Sequence, residues 1–242
     1  MSAVLNAGGV SPKADFLRVA LLGNPNCGKT ALFNLLTGAR QKVANYAGVP
    51  VERQAGTLHT ASGRKVRVLD LPGAYSLHAH SLDEAITRDI VRGRRPGEPL
   101  PDLLVCVTDA THLRLNLRLV LEARALGLPM VLVLNMSDMA ERRGIQIDRE
   151  VLARELGMPV LATVGVRGDG AQELLAWLDS PAAQALKAPV VAAQEAVALD
   201  ASPLDAQTQV IRTHQQVHRL MELAVRAPAA SLRVDDRIDA VV

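Results

Sequence analysis

Aromatic side chains are nearly missing from this sequence, which has two Phe, two Tyr and one Trp in 242 residues. With so few stacking platforms and a formal net charge of only +2, the chain lacks the footprint of a nucleic-acid binder. Cysteine is scarce as well. Cys27 and Cys106 have no spacing that fits a disulfide framework or a metal knuckle, and a reducing compartment suits them. No apolar run reaches the roughly 20 residues of a membrane span; even the alanine-rich region 181–199 is broken by Gln184, Lys187, Gln194 and Glu195. As given, the chain is expected to be soluble. Residues 1–15 carry neither an apolar core nor a basic leader, so a flexible tail is expected there and not a signal peptide. His59, His78 and His80 have no Cys or carboxylate cluster to complete a coordination set, which favours solvated loop residues over an iron site.

What is present is a phosphate cradle. Gly23-Asn24-Pro25-Asn26-Cys27-Gly28-Lys29-Thr30 spells G-x-x-x-x-G-K-T, between an apolar strand predicted at 16–22 and a short helix at 31–37 with Gly38 as its stop. In such a loop the backbone from Asn24 to Ala31 turns its N–H groups on phosphate oxygens, Lys29 neutralises charge and the Thr30 hydroxyl ligates Mg²⁺. The alternative is a Gly-rich turn without function.

Three further stretches follow in the order a guanine-nucleotide site requires. A strand at 65–69 runs into Asp70-Leu71-Pro72-Gly73, a D-x-x-G match: Asp70 would hold Mg²⁺ through water and Gly73 would donate its N–H to the γ-phosphate. A buried strand at 130–134 ends in Asn135-Met136-Ser137-Asp138, an N-x-x-D arrangement in which Asp138 takes both guanine N–H donors and selects against adenine. Met136 stands where a lysine is usual and has only methylenes to cover the base. A closing strand at 159–164 leads to Gly165-Val166-Arg167-Gly168, where a backbone N–H would meet the guanine oxygen.

With these stretches in place, the chain resembles the amino-terminal cytosolic part of the FeoB family of prokaryotic ferrous-iron transporters, over nearly everything after residue 15. The resemblance is carried by Gly-Asn-Pro-Asn at 23–26, Asn45-Tyr46-Ala47-Gly48-Val49 before Val51-Glu52, Asp70-Leu71-Pro72-Gly73-Ala74-Tyr75-Ser76-Leu77, Met136, and Asp236-Arg237-Ile238-Asp239. It implies GTP or GDP as ligand, Mg²⁺ at Thr30 and Asp70, and slow GTP hydrolysis to which Asn26, Lys29 and Gly73 contribute. Asn26 is similar to the asparagine of potassium-activated GTPases, whose side-chain oxygen holds K⁺ together with switch carbonyls; the plain alternative is an asparagine suited to a tight loop.

The resemblance also implies a first switch at Gly48, Val49 and Pro50. The family threonine of that switch is Pro50 here, which has no hydroxyl, no N–H and a fixed φ. Nearby Thr57 and Thr60 fall in a predicted hairpin, 51–58 against 65–69, and are expected to be surface strand residues. Ala74, after Gly73, has no group to orient water, so a slow intrinsic rate is expected.

Alternating strands and helices from 16 to 180 predict an α/β domain of the small-GTPase P-loop type, a mostly parallel sheet with helices on both faces. Helices are predicted at 82–91, 113–126, 147–156 and 171–178. After 180 the strand pattern stops. The tail, 181–242, is expected to be an all-helical part, with 206–225 placing Val210, Ile211, Val217, Leu220 and Leu223 at helical spacing; the resemblance makes it a nucleotide-dissociation-inhibiting module leading to a membrane domain, and the bland alternative is a helical appendage. By the same resemblance, partners would be that membrane-embedded domain, a small accessory cytosolic protein and a second copy of the chain, at the cytoplasmic face of a bacterial inner membrane. A nucleotide sensor with negligible turnover and an RNA- or ribosome-associated GTPase remain as alternatives, the last disfavoured by a near-neutral tail.

Overall fold

In a computed structural model, described for residues 16–38, 41–165, 170–185 and 203–226, the apolar runs become a seven-stranded sheet ordered β2-β3-β4-β1-β5-β6-β8. The chain passes in order through β1 (Leu17–Gly23), α1 (Lys29–Thr37), β2 (Gln41–Asn45), β3 (Glu52–His59), β4 (Lys65–Asp70), α2 (Leu82–Val91) and β5 (Leu103–Asp109). It continues through α3 (Leu113–Arg124), β6 (Met130–Asn135), α4 (Ser137–Arg142), β7 (Gln146–Ile147), α5 (Arg149–Leu156) and β8 (Val160–Ala162). The last elements are α6 (Gln172–Asp179), α7 (Pro181–Gln184), α8 (Pro203–Ala224) and β9 (Val225–Arg226).

β1 pairs parallel with β4 and β5, β5 with β6, and β6 with β8. Their near-continuous apolar sequences suit strands covered on both faces. One face buries Leu21, Leu32, Phe33, Val105, Val133 and Leu174; the other buries Leu22, Ile86, Leu104, Leu117, Leu132 and Leu152. The parallel strands all end at one edge of the sheet, and the edge where they end collects the loops that carry the motifs.

Several expectations are corrected. β2 was not foreseen, because Gln41–Asn45 is short and mixed in character; its pairing with β3, antiparallel from Gln41↔Gly56 to Asn45↔Glu52, is supplied by the sheet. Ile147 belongs to β7 and not to a helix, since Asp148 caps α5 by accepting the Val151 N–H at 2.9 Å. Thr60 is buried and donates its hydroxyl to Asp179 at 2.5 Å, so it is no surface strand residue; Thr57 is half-buried in β3. α4 follows β6 directly and was missed.

α8 packs on α3 and α5. It buries Val217, Leu220 and Ala224, while Val210, Ile211 and Leu223 face outward, so the packed stripe is narrower than the sequence spacing implied. The strand pattern also does not stop at 180: β9 pairs antiparallel with β7, Gln146↔Arg226 and Ile147↔Val225, and the Asp148 N–H donates to the Ala224 carbonyl at 2.7 Å. The expected tail at 1–15, the stretch 186–202 and Asp236-Arg237-Ile238-Asp239 lie outside the described residues.

Candidate nucleotide site

β1 delivers the cradle, and the cradle is shaped by two left-handed residues, Asn26 (φ 64°) and Gly28 (φ 82°). Asparagine tolerates that region better than most residues. Gly28 has a second constraint: a Cβ there would lie 2.2 Å from the Asn135 amide nitrogen, so only glycine lets the end of β6 close over the loop. Asn24, Cys27 and Lys29 are buried, whereas Pro25, Asn26 and Thr30 are exposed. Lys29, Thr30 and Ala31 form the first turn of α1, whose N–H groups have no intrahelical acceptors and attract anions. Burial pushes the Cys27 thiol up to about 11, so it is a neutral packing group.

β4 brings Asp70 to the same place. Lys29 Nζ donates to Asp70 Oδ1 and to the Leu71 carbonyl, both at 2.5 Å, and Thr30 Oγ1 donates to Asp70 Oδ2 at 2.9 Å. Three residues read from two motifs 40 positions apart thus form one cluster. Beyond it Gly73 lies against the cradle, where a Cβ would come within 3.0 Å of Pro25, and the Ala74 N–H donates to the Gly23 carbonyl at 3.2 Å.

β6 supplies the third stretch, which begins at its last residue, Asn135. Asn135 is buried; its amide donates to the Cys27 carbonyl at 3.0 Å, and its oxygen accepts from Thr163 Oγ1 at 3.1 Å and from the Gly165 N–H at 2.9 Å. Both lone pairs are used, which leaves one amide hydrogen for a base. The Gly165 N–H is thus taken by the buried Asn135 side-chain oxygen. Val166 and Arg167 lie outside the described residues. Met136 takes a left-handed φ of 57°, and its Cε lies 3.4 Å from the Cβ position of Gly28. Asp138 is partly exposed in the first turn of α4, 3.7 Å from Arg142.

The first-switch residues occupy the tip of the β2–β3 hairpin. The Val49 N–H donates to the Tyr46 carbonyl at 3.2 Å and the Tyr46 N–H to the Val51 carbonyl at 2.9 Å, with Gly48 at φ 79°. Val49 packs on the core, and Pro50 is exposed. Arg95 donates to the Ala47 carbonyl at 2.8 Å and lies over the Tyr46 ring, and Arg53 pairs with Glu98. The tip is thus tied to the connection between α2 and β5.

Sequence reasoning missed the two carboxylates that hold the loop after Gly73, residues 74–81: Glu84 and Glu122. Burial disfavours the charge on Glu84, yet the N–H groups of His80, Tyr75 and Ser76 outweigh it and hold its carboxyl below the usual range. The signal was available, since Ser81 and Glu84 have capping-box spacing at the start of α2. Glu122, in the middle of α3, carried no such signal.

Comparison with known proteins bears on this arrangement directly. A family model described as ferrous iron transport protein B matches residues 17–178. The chain belongs to the FeoB family. It is 43% identical over 171 residues to a Porphyromonas gingivalis fusion of Fe(2+) transport protein A with the Fe(2+) transporter FeoB, covering 71% of this chain and 20% of that protein. It is 45% identical over 167 residues to the Shigella flexneri Fe(2+) transporter FeoB, covering 67% and 21%. This chain therefore spans about a fifth of the length of these FeoB relatives. The cytosolic domain of the T. maritima FeoB iron transporter, solved in a GMPPNP form, is 28% identical with a TM-score of 0.75, over 87% of this chain and 100% of that one. That overlap is longer than residues 17–178 alone supply, so the FeoB likeness extends into the tail. No helix among the described residues is long and apolar enough to cross a membrane.

Proposed function

We propose that this chain binds and slowly hydrolyses GTP, as the nucleotide-driven part of a longer ferrous-iron transporter. The observation that carries this reading is the cluster of Lys29, Thr30 and Asp70 beside the Asn135–Cys27 brace, in a FeoB chain whose T. maritima relative was solved in a GMPPNP form. Asp138 reads guanine, and the cradle from Asn24 to Ala31 takes the phosphates. Thr30 Oγ1 and Asp70 Oδ2, 2.9 Å apart, are the hard oxygen donors that Mg²⁺ prefers, so these residues fit that ion. When bound, Mg²⁺ neutralises charge developing on the phosphates. Asn26 is exposed, so its side-chain oxygen is open to K⁺. Ala74 is fully buried and apolar, which leaves water orientation to backbone groups and keeps the rate low.

In this reading the tail slows nucleotide dissociation and leads to a membrane-embedded domain of the same protein at the cytoplasmic face of a bacterial inner membrane. The Fe(2+) transport protein A fused to the P. gingivalis relative favours a small accessory protein as partner, and self-association is a further expectation. Multiple-turnover hydrolysis in KCl against NaCl at equal ionic strength, with ATP as control, tests the chemistry. Turnover is expected to be faster in K⁺ and absent with ATP, and Asn26→Ala to lose the K⁺ stimulation. Pro50, exposed at the hairpin tip, favours a second reading, a nucleotide sensor with negligible turnover; no hydrolysis in either salt, restored by Pro50→Thr, would establish it.

A further inference from the structure

The loop at residues 74–81 is held from several sides. The Tyr75 and Ser76 N–H groups donate to Glu84 Oε1 at 3.0 and 3.3 Å, and the His80 N–H to Glu84 Oε2 at 2.9 Å. Thr87 of α2 also donates to the Pro72 carbonyl at 2.9 Å. The loop and α2 are thus bonded to each other; outside them, the Ala74 N–H holds the loop's start to the Gly23 carbonyl at 3.2 Å, and Leu77, Ile86 and Ile90 pack in the core.

Glu122 anchors the middle of the loop from α3. Its carboxylate, on α3 and only 7% exposed, accepts from Ser76 Oγ at 2.8 Å and from the Leu77 N–H at 2.6 Å through one oxygen. Its other oxygen accepts from Arg118 Nε at 3.0 Å, which neutralises the buried charge. Two donors from consecutive residues converging on one oxygen set the loop's position along α3, and charge-assisted bonds of this kind are the strong ones.

We propose that Glu122 is a positioning residue for GTP hydrolysis: by holding Ser76 and Leu77 it keeps Gly73 seated on Pro25 at the phosphate end of the cradle. This role rests on the GTPase reading above. Gly73 concerns only a γ-phosphate, so GDP binding does not depend on Glu122. A reacting group misplaced by an ångström costs up to about a hundredfold in rate.

The test compares the parent with Glu122→Ala and Glu122→Gln in three measurements: GDP affinity, single-turnover GTP hydrolysis, and hydrogen exchange of the Ser76 and Leu77 amides without nucleotide. In Glu122→Ala, hydrolysis is expected to fall by about ten- to a hundredfold and the Leu77 amide to lose protection, with GDP affinity unchanged. Glu122→Gln, whose amide oxygen still accepts from Ser76 and Leu77, is expected to keep most of the rate. The role is overturned if Glu122→Ala hydrolyses like the parent, if its Leu77 amide stays protected, or if GDP affinity falls in step with the rate, which marks a folding defect. A parent that binds GTP without hydrolysing it overturns the GTPase reading, and this role with it, and is recognised before any variant is compared.

Discussion

Asn135 joins three pieces of chain that the sequence keeps far apart, through bonds to Cys27, Thr163 and Gly165. Removing it strands a carbonyl, a hydroxyl and an N–H in a buried place, each worth about 1–3 kcal/mol when left unpaired. Asn135→Ala is therefore expected to cost about 3 kcal/mol of stability, read as a lower urea midpoint at unchanged m-value, and to loosen the cradle. The same residue shows where sequence reading ends. The meeting of Lys29, Thr30 and Asp70 was legible because two motifs of fixed residue type and spacing follow the ends of neighbouring strands. The bonds of Thr163 and Gly165 to the Asn135 oxygen were not, because hydrogen-bond saturation depends on how closely separate strand ends approach.

At the scale of elements, α2 carries its own pH dependence. The Glu84 carboxyl lies below its ordinary value of 4.5 in the fold because backbone donors favour its ionised form. A lowered folded-state value means the stabilisation is fully present above the unfolded value and is lost as pH falls through the folded one. Stability of the parent is therefore expected to drop on acidification below about pH 4.5, and Glu84→Gln to be less stable at neutral pH and to lack that part of the drop. Urea unfolding between about pH 6 and pH 3 checks both. α2 was legible residue for residue, from Leu82 to Val91, because its cap and apolar stripe are local. β2 was not: Val43 is 61% exposed, so no buried face marks the strand, and only pairing to β3 makes it one. The hairpin geometry at residues 48–50 was not legible, because it rests on Arg95 and Glu98, which lie 45 or more positions away.

Across the whole molecule, α8 is attached by a small apolar contact whose centre is Leu220, 1% exposed. Leu220→Ala is expected to cost about 3 kcal/mol if α8 and the sheet domain unfold as one cooperative unit. If they do not, hydrogen exchange rises in α8, α3 and α5 before the sheet opens; exchange and urea unfolding on the same variant distinguish the two. The other attachment, β7 with β9, has a mechanical meaning. A two-residue antiparallel pair opens one rung at a time under tension, Arg226 parting from Gln146 before Val225 from Ile147, and so resists weakly. A pull on the chain beyond Arg226 would spend itself first on this soft joint and reach the stiffer seat of α8 only later.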